Sequence, residues 1–165
     1  MERRLLPAVV LAACSIVAIA QPTHSLRTDE APTGSRIRSI ANAGARYPLD
    51  KPYERFSPDE RAALKALWEH IAEEDEPPFP AAGMKSLVLE FRTAAAKRQA
   101  EGITTLVAHV SPEGKVTKVD VHASVDDQLT RFIGWHLGNT KFKPAICAGQ
   151  PCSMQFPMSF KFSFE

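Results

Sequence analysis

The sequence lacks the compositional marks of several large protein classes. Its 165 residues include 20 basic and 19 acidic side chains, so the net charge of +1 gives no excess of positive charge for nucleic-acid binding. Hydrophobic residues make up 44% and charged residues 24%, which is near the globular average and excludes disorder of the whole chain. The length suits one domain, or a small domain with an appendage.

Motifs of the common catalytic and cofactor sites are also missing from the sequence. It contains no nucleophile elbow, no phosphate-binding loop, no His-Glu-x-x-His motif and no paired ligands at metal spacing. We therefore expect no catalytic site, no metal ion and no cofactor. This composition favours a binding module over an enzyme.

The first 20 residues predict export, by one of three routes that stay open. A short basic start precedes the uncharged stretch 5–20, which is shorter than the roughly 20 residues of a membrane span. Residues 18–20 (AIA) match the cleavage pattern of a secretory signal peptide. Residues 11–14 (LAAC) resemble a bacterial lipobox, in which Cys14 would be lipidated. An uncleaved anchor is the third route.

The cysteines agree with export. Because Cys14 belongs to the leader in both cleaved forms, Cys147 and Cys152 remain as a pair five positions apart. They flank a turn with Gly149 and Pro151, and in an oxidising compartment this arrangement predicts a local disulfide. A zinc site would need four ligands, and the histidines do not cluster beside the pair.

Changes in composition divide the chain into four stretches. The leader (1–20) is followed by a linker with an extended strap (21–56), in which prolines and aromatics alternate towards the end. An added amphipathic helix (57–78) begins with a capping box at Ser57, and its acidic end is expected to be solvated. The remaining stretch (79–165) is expected to form the main domain.

Hydrophobic periodicity in the main domain predicts a helix, a hairpin, a second helix and a long strand. From Cys152 to Phe164 every even position is hydrophobic and every odd position is not, which is the pattern of a strand with one buried face. Pro157 indicates an edge or a bulge in that strand. The predicted fold class is α+β, a small antiparallel sheet of about three strands with helices packed on one face, plus the N-terminal helical addition.

The main domain resembles the C-terminal domain of TonB, the periplasmic energy transducer of Gram-negative bacteria. Its order of elements and a series of short motifs carry the resemblance. These motifs are Phe79-Pro80, Glu101-Gly102, the turn 111–116, Leu129 with Phe132, and the segments 141–145 and 149–151 before the last strand. The resemblance implies a TonB/TolA C-terminal-domain-like fold, a periplasmic location and a protein partner, without nucleic acid.

The chain departs from the transducers of this family at its N-terminal side. Stretch 5–20 contains no histidine, whereas the transducer anchors carry Ser and His for coupling to a proton-driven motor. The stretch 21–56 lacks the long Pro-Lys and Pro-Glu spacer, and at ~3.3 Å per residue it spans at most about 120 Å. The resemblance of the main domain therefore does not imply that this chain is a working energy transducer, and coupling to a motor stays open.

The resemblance implies that the partner is captured by strand addition at a sheet edge. The candidate edge is the last strand, with Gln155, Ser159, Lys161 and Ser163 on its open face. The expected function is an exported TonB-like binding module that contacts an envelope or outer-membrane receptor or transport component. The alternative is a structural cell-envelope assembly protein with no peptide capture, and a homodimer stays open.

Overall fold

The computed structural model of this protein describes residues 25–26 and 47–163. The leader, including Cys14, and most of the linker lie outside the described residues. The described α-helices are α1 (Pro58–Lys65), α2 (Lys85–Arg98) and α3 (Asp127–Gly138). The described strands are β1 (Ser25–Leu26), β2 (Phe79–Pro80), β3 (Gly102–Val110), β4 (Val116–Ala123), β5 (Phe142–Lys143), β6 (Ala145–Cys147), β7 (Gln150–Cys152) and β8 (Met154–Phe162).

The main sheet has the strand order β1-β4-β3-β8. Strands β3 and β4 form an antiparallel hairpin, and β8 pairs antiparallel with β3 along its whole length. Strand β1 pairs with β4 in parallel, which the sequence did not predict. Two small antiparallel pairs, β2 with β5 and β6 with β7, complete the described sheets. The protein is therefore α+β with small, mostly antiparallel sheets.

The turn between β3 and β4 requires a glycine. Gly114 has a φ of +74°, and a Cβ atom at this position would lie 2.1 Å from the carbonyl oxygen of Phe142. The Phe142 N–H donates to the Gly114 carbonyl oxygen at 2.9 Å. The turn thus holds β5 against this end of the sheet.

Helices α2 and α3 pack on one face of the main sheet. Phe91 of α2 meets Phe160 of β8 edge to face, with ring centroids 5.2 Å apart. Helix α3 buries three large hydrophobic residues at helical spacing, Leu129, Ile133 and Leu137. The strand residues that point towards the helices are buried as well, namely Leu106, Ala108, Val110, Val119, Val121, Phe156, Met158, Phe160 and Phe162.

The start of α1 agrees with its sequence signal. The Ser57 N–H donates to Oε2 of Glu60 at 2.7 Å, and the Glu60 N–H donates to Ser57 Oγ at 3.3 Å. This is the capping box that the sequence predicts, with Pro58 as the first helical residue.

The helix predicted for residues 57–78 is wrong beyond Lys65, where α1 ends. The N–H groups of Leu67 and Trp68 bond three residues back, to Leu64 and Lys65, which tightens the chain into a turn. The turn brings the Trp68 ring to 6.4 Å from the ring of Phe156. Burial of Trp68 against the sheet therefore outweighs continuation of the helix.

The strap (47–56) packs into the core. Tyr53 and Phe56 are buried, and the Phe56 ring lies 5.1 Å from the ring of Phe79. Tyr47 meets Phe79 at 5.8 Å, and burial raises the pKa of Tyr47 to about 12. The strap is thus part of the folded unit.

Candidate functional site

The last strand, β8, lies at one end of the main sheet. It pairs with β3 on one side, and no strand in the described part of the chain pairs with its other side. A free side of this kind exposes unpaired backbone N–H and C=O groups, to which another extended chain can bond. We call the free side of β8, from Gln155 to Lys161, the open edge.

The position of Pro157 identifies which backbone groups point outward at the open edge. Pro157 stands opposite Val107 in an unshifted register with β3. Because proline has no N–H, this pair is of the type that exchanges no hydrogen bonds. The type alternates along an antiparallel ladder, so Gln155, Ser159 and Lys161 also direct their N–H and C=O groups away from β3. Pro157 directs only a carbonyl outward.

The side chains of the open edge differ in exposure along the strand. Pro157 is buried, and so is Gln155, whose exposed fraction is only 7%, whereas the sequence placed it on an open face. Ser159 is half-buried and Lys161 is exposed. Ser163 is exposed as well but lies beyond the end of β8. The structure therefore brings Ser159 and Lys161 together as the accessible half of the edge.

Ser159 and Lys161 have different local partners. The Ser159 hydroxyl lies 3.2 Å from the hydroxyl of Thr105, across the pair with β3. Lys161 stands opposite Ile103, which carries no charge, and it forms no ion pair with any residue that the structure describes. Among the described residues, therefore, nothing compensates the positive charge of its ammonium group at the open edge.

A polar cluster lies on the same sheet face, towards β4. Nε2 of His109 is 2.7 Å from Oδ2 of Asp120, and Nζ of Lys118 is 2.6 Å from Oδ1. Burial acts to raise the pKa of Asp120, but the hydrogen bonds from Lys118 and His109 outweigh it and lower that pKa. The cluster keeps a carboxylate charged beside the sheet centre. His122, which the sequence places on the same strand face, is exposed.

A disulfide joins Cys147 and Cys152, the pair that the sequence selects, with their Cα atoms 5.8 Å apart. It closes the β6–β7 hairpin, which leads directly into β8. Glu76 exchanges two backbone hydrogen bonds with Ile146, and Asp75 accepts the Ala148 N–H at 2.9 Å. Hydrogen bonds to β6 and to the turn between β6 and β7 therefore both fix the hairpin in place.

Sequence reasoning missed the anchoring role of the acidic segment before β2. Its side chains were expected to be solvated, but Glu76 pairs with Lys143 at 2.9 Å and with Arg61 at 3.6 Å. Both cations also lie over the Tyr53 ring, at 4.7 and 4.9 Å from its centroid. The sequence contained part of the signal for this role. The prolines after the acidic segment end any helix and leave the carboxylates of the segment beside the core.

Helix α3 exposes two large aromatic side chains, Trp135 at 61% and Phe132 at 37%. The Phe132 ring covers Phe91 from outside, at a centroid distance of 6.4 Å. Leu89 of α2 is also 65% exposed.

Within the described residues, no group of three or more His, Cys, Asp or Glu side chains is placed to hold a metal ion. No helix in residues 25–26 and 47–163 is long and apolar enough to cross a membrane. A comparison with known proteins gave neither a matching protein-family model nor a matching curated protein.

Proposed function

We propose that this chain is an exported, periplasmic protein-binding module similar to the C-terminal domain of TonB. In this proposal the main domain has a TonB/TolA-like fold and acts without catalysis. It contacts a receptor or transport component of the envelope or outer membrane by accepting an extended segment at the open edge of β8. Cleavage after Ala20, lipidation of Cys14 and an uncleaved anchor are the three alternatives for its N-terminal end.

One observation carries the proposal, namely the accessible half of the open edge. Ser159 and Lys161 direct backbone donors and acceptors away from β3, and neither residue is buried. In strand addition such backbone groups supply the affinity, and the neighbouring side chains supply the specificity. The order helix, hairpin, helix, strand in α2 to β8 is consistent with the same interpretation.

Replacement of Ser159 by proline tests the proposal. Because the Ser159 N–H points away from β3, Ser159→Pro removes an outward donor and leaves every backbone hydrogen bond to β3 in place. We expect this variant to lose a specific envelope protein that the wild type retains on affinity capture from envelope extract. The retained proteins are identified by mass spectrometry.

Ser159→Ala is the matched control, since it loses the same hydroxyl contact with Thr105 but keeps the N–H. It should retain the partner. If all three proteins retain the same set, peptide capture is rejected and the structural assembly protein is left. If Ser159→Pro lowers the unfolding temperature, Lys161→Pro removes the other outward donor of the accessible half and repeats the test.

A further inference from the structure

Helices α2 and α3 lie side by side over the main sheet. Nδ1 of His136 is 3.1 Å from Oε2 of Glu90, and the rings of Phe91 and Phe132 are 6.4 Å apart. These contacts join the two helices into a layer. One face of the layer packs on the sheet, and we call its opposite face, which points away from the sheet, the helix face.

Large apolar side chains stand on the helix face. Leu89 lies two positions before the fully buried Phe91, and Trp135 lies two positions after a buried residue, Ile133. Two positions are a rotation of about 200° in a helix, so both side chains point away from the core. Their exposed fractions are 65% for Leu89 and 61% for Trp135, and Phe132 beside them is exposed by 37%. Exposed apolar groups of this size mark an interaction surface.

The charges around these apolar side chains have one sign. Residues three and four positions apart are neighbours on a helix surface. At these spacings Leu89 has Lys85 and Arg92, and Trp135 has Arg131. No aspartate or glutamate stands at these spacings from any of the three apolar residues. The three cations are exposed, and none forms an ion pair with a residue that the structure describes.

We infer that the helix face docks on the surface of a bilayer that contains anionic phospholipid. Tryptophan, phenylalanine and leucine side chains suit the boundary between headgroups and acyl chains, where their apolar parts are buried. The basic side chains beside them meet the phosphate groups of the lipids. Helices that lie on membranes combine these two classes of residue in the same way. In this arrangement α2 and α3 lie along the bilayer surface.

Charge complementarity favours an anionic bilayer over a second copy of this chain. The carboxylate between the two helices, that of Glu90, already lies 3.1 Å from His136. Because the helix face carries more cations than carboxylates, two such faces in contact leave part of their positive charge uncompensated. A layer of anionic headgroups offers a phosphate to every cation and requires no fixed register.

The inference goes beyond the proposed function and does not depend on it. The helix face lies on one side of the sheet layer, whereas the open edge runs along its border. A bilayer and an extended partner segment therefore contact different parts of the molecule. A single acyl chain gives only marginal membrane binding, so a chain lipidated at Cys14 would gain a second attachment from the helix face.

Intrinsic fluorescence tests the inference on the full chain, because Trp68 and Trp135 are its two tryptophans. The protein is mixed with vesicles of brominated phosphatidylcholine, with or without phosphatidylglycerol. The leader contains no tryptophan, so its own insertion adds no emission. We expect the emission of Trp135 to shift to the blue and to be quenched by bromine only when phosphatidylglycerol is present. Trp135→Phe retains only the buried Trp68 and should show neither change.

A matched pair of variants tests the role of charge. Arg131→Gln should lower the ratio of docked to free protein about fivefold, which corresponds to about 1 kcal/mol for a basic residue at an anionic surface. Lys161→Gln is the control, because Lys161 is also an exposed cation but lies on the opposite face of the sheet. It should keep the wild-type ratio.

A second pair tests the apolar contact. Leu89→Ser should weaken docking, whereas Ile103→Ser should not. Ile103 is also an exposed apolar residue, at 44%, but it stands opposite Lys161 on the other face of the sheet. Bromine quenching of Trp135 measures both variants.

Three results would overturn the inference. The first is a Trp135 emission that is the same with and without vesicles. The second is equal quenching in both kinds of vesicle that Arg131→Gln does not change, since it would show apolar contact without selection for anionic lipid. The third is a blue shift without vesicles that grows with protein concentration, because a second copy would then occupy the helix face. None of them bears on the open edge, which Ser159→Pro tests.

Discussion

Asp126 connects the two helices that cover the sheet. Arg98 of α2 donates from Nε to Oδ1 at 2.6 Å and from a terminal nitrogen to Oδ2 at 2.8 Å. Asp126 is also the N-cap of α3 and accepts the Leu129 N–H at 2.7 Å. The hydrogen bonds from Arg98, followed by that from Leu129, lower the pKa of Asp126 from 3.8 to about 2.

The lowered pKa of Asp126 makes stability depend on pH in acid. Since the folded pKa lies below the unfolded one, this contribution is complete above about pH 4 and is lost as the pH falls to about 2. Asp126→Asn keeps a good N-cap but removes the charge. We expect a shallower fall in the free energy of unfolding between pH 4 and 2, measured by urea denaturation.

Asp127→Asn is the control for this measurement, because Asp127 is exposed at the adjacent position. It should leave the slope between pH 4 and 2 unchanged. If Asp126→Asn and the wild type lose stability equally over that range, the pair with Arg98 does not contribute as described.

Strand β8 has a complete hydrogen-bond ladder with β3 on one side. On its other side, Pro157 interrupts the row of outward backbone donors. Pro157 removes no hydrogen bond between β8 and β3, because it occupies a pair that exchanges no hydrogen bonds. Towards solvent it removes one donor from the middle of the open edge. Natural edge strands use proline and lysine in this way to avoid uncontrolled pairing. Pro157 and Lys161 together therefore oppose self-association of this strand.

Pro157→Val should restore the missing donor without disturbing the β3–β8 ladder. In a symmetric β8–β8 pair with its two-fold axis at Ser159, residue 157 stands opposite Lys161 of the other copy, and the new N–H adds two hydrogen bonds, each worth about 0.5–1.5 kcal/mol. We expect self-association to strengthen about tenfold or more, as measured by sedimentation equilibrium.

Pro112→Val makes the same substitution in the β3–β4 turn, where no strand edge is changed. This control should behave as the wild type. A Pro157→Val protein that stays monomeric at the same concentrations would argue against the assignment of Pro157 to the open edge.

The core of the molecule extends across the boundary that composition places at residue 79. Tyr53 from the strap and Trp68 from the segment after α1 belong to the same cluster as Phe79 and Phe156. The rings of Trp68 and Phe79 lie 6.4 and 5.9 Å from that of Phe156. The residues before β2 therefore complete the interior of the main domain.

The two tryptophans provide a matched test of this common core. Trp68 has an exposed fraction of 2% and Trp135 one of 61%. We expect Trp68→Ala to lower the free energy of unfolding by about 3–5 kcal/mol, because it leaves a cavity beside Phe156.

Trp135→Ala should change the free energy of unfolding by about 0.5 kcal/mol or less, since its ring is mostly in solvent. Chemical denaturation measures both variants. Equal losses would contradict the burial of Trp68, and a negligible loss for Trp68→Ala would show that the main domain folds without the segment before β2.

Local signals were sufficient where neighbours along the chain determine the structure. Ser57 and Glu60 are three residues apart, and the capping box follows from that spacing. The alternation around Phe160 likewise follows from the strand period of two. The end of α1 could not be predicted in this way, because burial of Trp68 against Phe156 decides it, and these residues are far apart in sequence.

The sequence by itself determined the α+β class, the cysteine pair and the hydrophobic face of the last strand, since each depends on short-range spacing. Only the tertiary structure decided which side of β8 has no strand partner among the described residues and that Gln155 is buried whereas Lys161 is not. The register between β3 and β8 sets these properties, through contacts between residues some 50 positions apart in the chain. A periodic pattern defines the faces of a strand, but only its neighbours define its edges.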